Sequence, residues 1–274
     1  MNCTVRIDLA YDGGGFHGWQ FQPGLRTVQG VLEAEVTQLV GRKIVLFGAG
    51  RTDAGVHALG QVAHVGGLNS IEALRLERIL PGRGPDDLRI TSVREVSPEF
   101  HARFSACWRR YEYRISFIDD LFLRGTRWRL VEQPDRTAID AACVHLIGRH
   151  DYRSFCKTSS CKADNHCHVT EAGFVWHEDG AVFHVQADRF LHHMVRIMVG
   201  TLLEVGRGHR VPDDIPAIIA ACERSAAGTM APPQGLYLAE VGYPDELMDP
   251  GRRPDTNDHD DDAGHAGAQP EETP

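Results

Sequence analysis

Val5-Arg-Ile-Asp-Leu-Ala-Tyr11 and Arg110-Tyr-Glu-Tyr-Arg-Ile-Ser-Phe117 alternate apolar with other residues, the period of a half-buried β-strand. Each heads a similar run of elements. After the first, Thr27 caps a helix with Val28, Val31, Leu32, Val36 and Leu39 at helical spacing, stopped at Gly41. A strand over 60–65, a helix over 70–80 stopped by Pro81-Gly82, and a strand over 88–93 follow. After the second come a helix over 137–147, a hairpin pairing 169–176 with 181–187 across Glu178-Asp-Gly180, and a helix over 189–205 whose buried stripe is Leu191, Met194, Val195, Met198, Leu202 and Val205. Strand, helix, strand pair, helix occurs twice. The pattern predicts an α+β protein of two similar halves, 1–105 and 106–244, each a mainly antiparallel sheet with helices on one face, the other faces forming a joint cleft.

At 274 residues the chain is long enough for one large domain or two of about 120 residues. No apolar run approaches the ~18 residues of a membrane span, and the first residues lack a signal peptide's basic and apolar regions. A cytoplasmic protein with no membrane partner is expected. Seven cysteines, scattered from Cys3 to Cys222, suit a reducing compartment. The net charge of −9 speaks against a nucleic-acid partner until it is located: residues 245–274 hold ten Asp or Glu against two Arg, leaving the body at −1. That acidic tail, rich in Pro and Gly, is expected to be disordered. In the body, Arg103, Arg109, Arg110, Arg114, Arg124, Arg127 and Arg129 are interleaved with Phe104, Trp108, Tyr111, Tyr113 and Trp128. Local basicity with aromatics fits an RNA surface, and equally an edge strand with a solvated arginine face.

Phe47-Gly-Ala-Gly-Arg-Thr-Asp-Ala-Gly-Val-His-Ala58 carries the chemistry. A strand running into a glycine-flanked polar turn holds a side chain at the edge of a rigid sheet, and this turn has one carboxylate, Asp53. By residue type alone, an Asp accepting backbone hydrogen bonds in a tight turn is the simpler reading. Arg196, on the helix over 189–205, is a candidate partner that would orient a carboxylate and keep it ionised. His192 and His193 stand four and three residues before it. A metal there is disfavoured, because no carboxylate joins them at ligand spacing and an Arg is adjacent.

Two other stretches need weighing. Gly13, Gly15 and Gly18 match the dinucleotide pattern G-x-G-x-x-G after a strand, but Pro23-Gly24 breaks the helix that pattern requires, so a loop is expected. Residues 156–168 hold Cys156, Cys161, Cys167, His166 and His168, yet the spacing lacks the C-x2-C knuckle of zinc sites. A loop with incidental thiols is the expectation.

Gly50-Arg-Thr-Asp-Ala-Gly-Val-His-Ala58 with Gly60-Gln-Val62, then Phe100-His-Ala-Arg-Phe-Ser105, Arg109-Arg-Tyr111, Phe190-Leu-His-His-Met-Val-Arg196 and Gly235-Leu-Tyr-Leu238 resembles the tRNA pseudouridine synthase A family, in that family's order. The resemblance implies two ferredoxin-like or RRM-like halves around a basic cleft. It implies a homodimer, without metal or cofactor, that isomerises uridine to pseudouridine at positions 38, 39 and 40 of the tRNA anticodon stem-loop. Carried over, it makes Asp53 the catalytic carboxylate, Arg196 its salt-bridge partner, Tyr111 the residue stacking on the target base, Leu236 an apolar wall of the pocket and Arg51 a contact to the RNA backbone. Residues 156–168 depart from the basic block of many bacterial relatives. A non-catalytic RNA-binding module is the alternative; it would keep the arginines and aromatics without requiring Asp53.

Overall fold

A computed structural model describes residues 2–251. Most of the acidic tail, 252–274, lies outside the described residues. In chain order the elements are β1 (Cys3–Tyr11), α1 (Val28–Val40), β2 (Phe47–Gly48), β3 (His57–Leu68), α2 (Ser70–Ile79), β4 (Leu88–Val96), β5 (Trp108–Ser116), β6 (Trp128–Arg129), α3 (Arg136–Val144), β7 (Gly148–Asp151), β8 (His166–Trp176), β9 (Gly180–Ala187), α4 (Met194–Gly206), α5 (Asp214–Ala221) and β10 (Leu236–Gly242). The chain is mixed α+β, and its sheet is mostly antiparallel, as expected.

Local signals explain the early elements. Thr27 accepts from Gly30 N at the start of α1, and Gly41, with φ 79°, closes it. Asn69 and Glu72 form a reciprocal capping box on α2. Along β1, Val5, Ile7, Leu9 and Tyr11 are buried, with Leu32 and Val36 of α1 and Leu76 of α2 in the same core. Along β5, Tyr111, Tyr113 and Ile115 are buried with Phe183 and Val185 of β9 and Val199 and Leu202 of α4. Each such Leu, Ile or Phe side chain contributes about 1.5–3 kcal/mol on burial.

The two sheets expected from the repeat are one. The strand order is β4-β1-β3-β10-β5-β9-β8-β7, with β2 beside β3 and β6 beside β5. The join is β10, from the far end of the sequence, parallel to β3 (Leu238 opposite Ala58) and antiparallel to β5 (Leu238 opposite Tyr111, Leu236 opposite Tyr113). An edge strand leaves its N–H and C=O groups unpaired, and inserting β10 satisfies the inner edges of both halves at once. The insertion also sets the N-terminal end of β3 close to Tyr111, which positions the site.

Two boundaries differ from expectation. The helix over 189–205 begins only at Met194, because His193 takes a left-handed conformation, φ 69°. The segment 156–168 is not all loop: His166 and Cys167 open β8 and pair with Asp151 and His150 of β7.

Candidate active site

Residues 49–56, between β2 and β3, form the turn that carries Asp53. Ala49 N donates to Val62 O (2.7 Å), Gln61 Nε2 to Gly50 O (3.0 Å) and Val56 N to Asp53 O (3.1 Å), while the Thr52 and Tyr11 hydroxyls pair at 2.8 Å. The earlier glycine turn lies behind this loop. Trp19 N donates to Thr52 O (3.0 Å), and a Cβ on Gly18, whose φ is 85°, would sit 2.7 Å from that carbonyl. A Cβ on Gly13 would collide with the Val56 carbonyl. These glycines therefore serve backbone-to-backbone packing under Asp53. Gly13→Ala is expected to destabilise the fold by about 1–3 kcal/mol, as overpacking does, and to lower activity with it. A urea midpoint equal to the wild type's would refute the close approach.

Arg196, in the first turn of α4, is 7% exposed. Its guanidinium splits between two acceptors: Nη1 donates to Asp53 Oδ2 at 2.9 Å and Nε to Ala231 O at 2.8 Å. The fork fixes the direction of the carboxylate. Two histidines complete the surround. His192 Nε2 lies 3.3 Å from Asp53 Oδ1, and His193 Nε2 lies 3.4 Å from Oδ2. Burial pulls the His193 pKa below its ordinary value, outweighing the neighbouring carboxylate. The 156–168 segment supports His192 from behind: Lys157 N donates to His192 O (3.0 Å) and Ser160 Oγ pairs with His192 Nδ1 (2.8 Å).

Asp53, Arg51, Tyr111, Leu236, His192 and His193 border one cavity of about 50 Å³. All five residues expected at the site are thus brought together, Arg196 through its bond to Asp53. Tyr111 is buried, edge-on to Phe190 with ring centroids 5.0 Å apart, and burial holds its phenol far above the ordinary pKa. Arg51 is exposed at the rim. A larger open groove of about 620 Å³, bordered by His145, Arg149 and Ile219, contains none of these residues.

Sequence spacing missed one association. Asp53, His192 and His193 place three possible ligand atoms within 4.8 Å of one another, so a carboxylate does join the histidines, across the fold rather than along the helix. Among the described residues this is the group that could hold a metal. Arg196 on the same carboxylate and the positive N-terminus of α4 both oppose a cation there.

A family model described as tRNA pseudouridine synthase matches residues 9–105 and 142–244. The chain is 41% identical over 246 residues to a tRNA pseudouridine synthase A of Geobacillus sp. (strain WCH70), covering 89% of this chain and 99% of that relative. It is 43% identical over 247 residues to the one of Moorella thermoacetica, covering 89% and 100%, and 40% identical over 246 residues to that of Cereibacter sphaeroides, covering 87% and 96%. The chain belongs to the tRNA pseudouridine synthase family. Both matched stretches of the family model contribute to the site, Asp53 from the first and Arg196 and Leu236 from the second.

Within this tRNA pseudouridine synthase the arginine cluster is less available to phosphates than its sequence suggested. Arg109 donates to the carbonyls of Ala49, Arg103, Ala106 and Asp188, so it ties the Asp53 turn to the 100–106 segment. Arg110 faces Glu171 and Glu240, Arg114 faces Glu112, and Arg124 and Arg129 both face Asp119. Among the described residues, Arg103 and Arg127 are the cluster members with no ionic or hydrogen-bond partner for the guanidinium. The buried thiols of Cys156 and Cys167 are pushed up to about 12 by burial, which keeps them protonated. No helix is long and apolar enough to cross a membrane, among the described residues.

Proposed function

We propose that this protein isomerises uridine to pseudouridine in the anticodon stem-loop of tRNA, at positions 38, 39 and 40, with Asp53 as the catalytic carboxylate. The observation that carries the reading is the Asp53 carboxylate, oriented by Arg196 at 2.9 Å and facing a cavity walled by Tyr111 and Leu236. The reaction breaks N1–C1′, turns the uracil without releasing it, and joins C5 to C1′. An ionised carboxylate starts it by attack at C1′ or by taking the 2′ proton, and either route needs the sugar pressed against Asp53. A base inside a stem is first extruded, at a cost of a few kcal/mol. Stacking on Tyr111 returns ~1–3 kcal/mol of that. Leu236 gives the base an apolar wall, and Arg51 at the rim takes an RNA phosphate. Neither metal nor cofactor takes part. The working unit is a cytoplasmic homodimer, each chain built of halves 1–105 and 106–244.

The test is to incubate the full-length protein with unmodified tRNA, without metal or nucleotide, and map pseudouridine. Modification at 38, 39 or 40 is expected. Binding with no modification would favour the alternative, a non-catalytic RNA-binding module. The stacking role has its own check: Tyr111→Phe is expected to keep more activity than Tyr111→Ala, which loses about 10- to 100-fold with the aromatic face. Equal losses would sink it.

A further inference from the structure

Moving a glycosyl bond from N1 to C5 leaves a proton to be removed, and the roles assigned above give it no acceptor. Once C5 is bonded to C1′ it carries both the sugar and its own hydrogen, and the ring holds an N1=C6 double bond. The uracil is restored when a base takes the C5 proton, the C5–H electron pair forms C5=C6, and the N1=C6 pair moves to N1. N1 then takes a proton, from the charged base or from water. The isomerisation balances with no other reactant.

Five ionisable side chains border the cavity: Arg51, Asp53, Tyr111, His192 and His193. Arg51 is a cation. Burial keeps the Tyr111 phenol protonated, so it donates more readily than it accepts. Asp53 is engaged at the sugar, with Oδ2 held by Arg196. We propose that His193 is the base that takes the C5 proton.

Three observations carry the assignment, which rests on the reading of Asp53 as the carboxylate at C1′. The first is position. His193 Nε2 is 3.4 Å from Asp53 Oδ2, and in the rearranged base C5 is one bond, about 1.5 Å, from the sugar carbon that Asp53 faces. Rearrangement therefore brings C5 to the carboxylate that His193 flanks, the side of the cavity from which a neighbouring base takes its proton. The second is the backbone. His193 is one of two non-glycine residues with positive φ among the described residues, and this conformation, strained for a side-chain-bearing residue, aims its imidazole back at Asp53 from the foot of α4. The third is protonation. Burial, the largest influence, pulls the His193 pKa down against the raising effect of Asp53, with His192, Arg196 and Lys157 acting in the same direction as burial, which favours the neutral ring able to accept a proton. His192 is the more exposed of the two, 40% against 18%, and is anchored through Nδ1 to Ser160, which makes it a positioning residue for the carboxylate.

The test compares tRNA transcribed with 5-deuterio-uridine and with ordinary uridine in single-turnover reactions of the wild type, His193→Asn and His193→Gly. Asn tolerates a left-handed backbone and Gly adopts it freely, so neither variant forces the turn open. Both are expected to slow pseudouridine formation by roughly 10²-fold, the usual contribution of a positioned base. Both should show a primary 5-deuterium effect absent from the wild type, and added imidazole should restore the rate of His193→Gly. Wild-type rates, or a slowing without either the isotope effect or the rescue, would overturn the proposal. Asp53→Asn, run alongside, should release no 5-hydrogen; if it turns over, the assignment of Asp53 is what fails, whatever the His193 variants do.

Discussion

Asp53→Asn is expected to bind unmodified tRNA as tightly as the wild type and to form pseudouridine roughly 10³-fold or more slowly. The amide keeps the shape of the carboxylate and an oxygen that can still accept from Arg196 Nη1. It has neither the charge to attack C1′ nor the basicity to take a 2′ proton. The structural cost is limited because one charge-assisted hydrogen bond becomes a neutral-acceptor one, a difference of about 1 kcal/mol. Activity and stability therefore separate: quantitative pseudouridine mapping should fall to background while the thermal midpoint moves by a few degrees. An Asp53→Asn protein within tenfold of wild-type turnover would remove the residue from the chemistry, and one that unfolds would show a structural Asp of the tight-turn kind.

How much of this was legible in the sequence depends on whether the signal was local. The alternation in β1 and β5, the Thr27 cap and the stop of α2 before Pro81-Gly82 are contests settled within a few residues, and the structure agrees with them. The Asp53 turn was legible for the same reason: three glycines and one carboxylate occupy twelve positions. The insertion of β10 between β3 and β5 was not, since a period of two says which side chains share a face and nothing about which strand lies alongside. The start of α4 failed differently. Residues 189–193 are compatible with a helix by composition, and α4 is buried nearly all round, so its apolar period marks neither its beginning nor an exposed face. Arg196 is legible by its chemistry as a partner for a carboxylate, and it is buried against Asp53, a burial that the apolar period does not show. The arginine cluster shows a third limit. Charge counts cannot tell a guanidinium free for phosphate from Arg109, spent on four carbonyls, or Arg110, spent on two glutamates.

Arg196 is where fold and chemistry share one side chain, and its variants should separate the two. Arg196→Lys keeps a charge but cannot span both acceptors, because an ammonium is a point donor where the guanidinium is a planar fork. It should stay folded and lose activity, as the carboxylate is held but no longer aimed. Arg196→Met removes both donors. It leaves Asp53, with 21% of its side chain exposed, without its partner and orphans the Ala231 carbonyl, so a destabilisation of about 3 kcal/mol and loss of measurable turnover are expected. Arg196→Met combined with Asp53→Asn should then be more stable than Arg196→Met alone, because the cost lies in the stranded charge, and the coupling between the two positions should be about 1–3 kcal/mol. Denaturant midpoints of the four proteins decide it. Strict additivity would mean that the carboxylate does not depend on Arg196 for its place in the cavity, and that the 2.9 Å bond between them contributes nothing to holding α4 against the Asp53 turn.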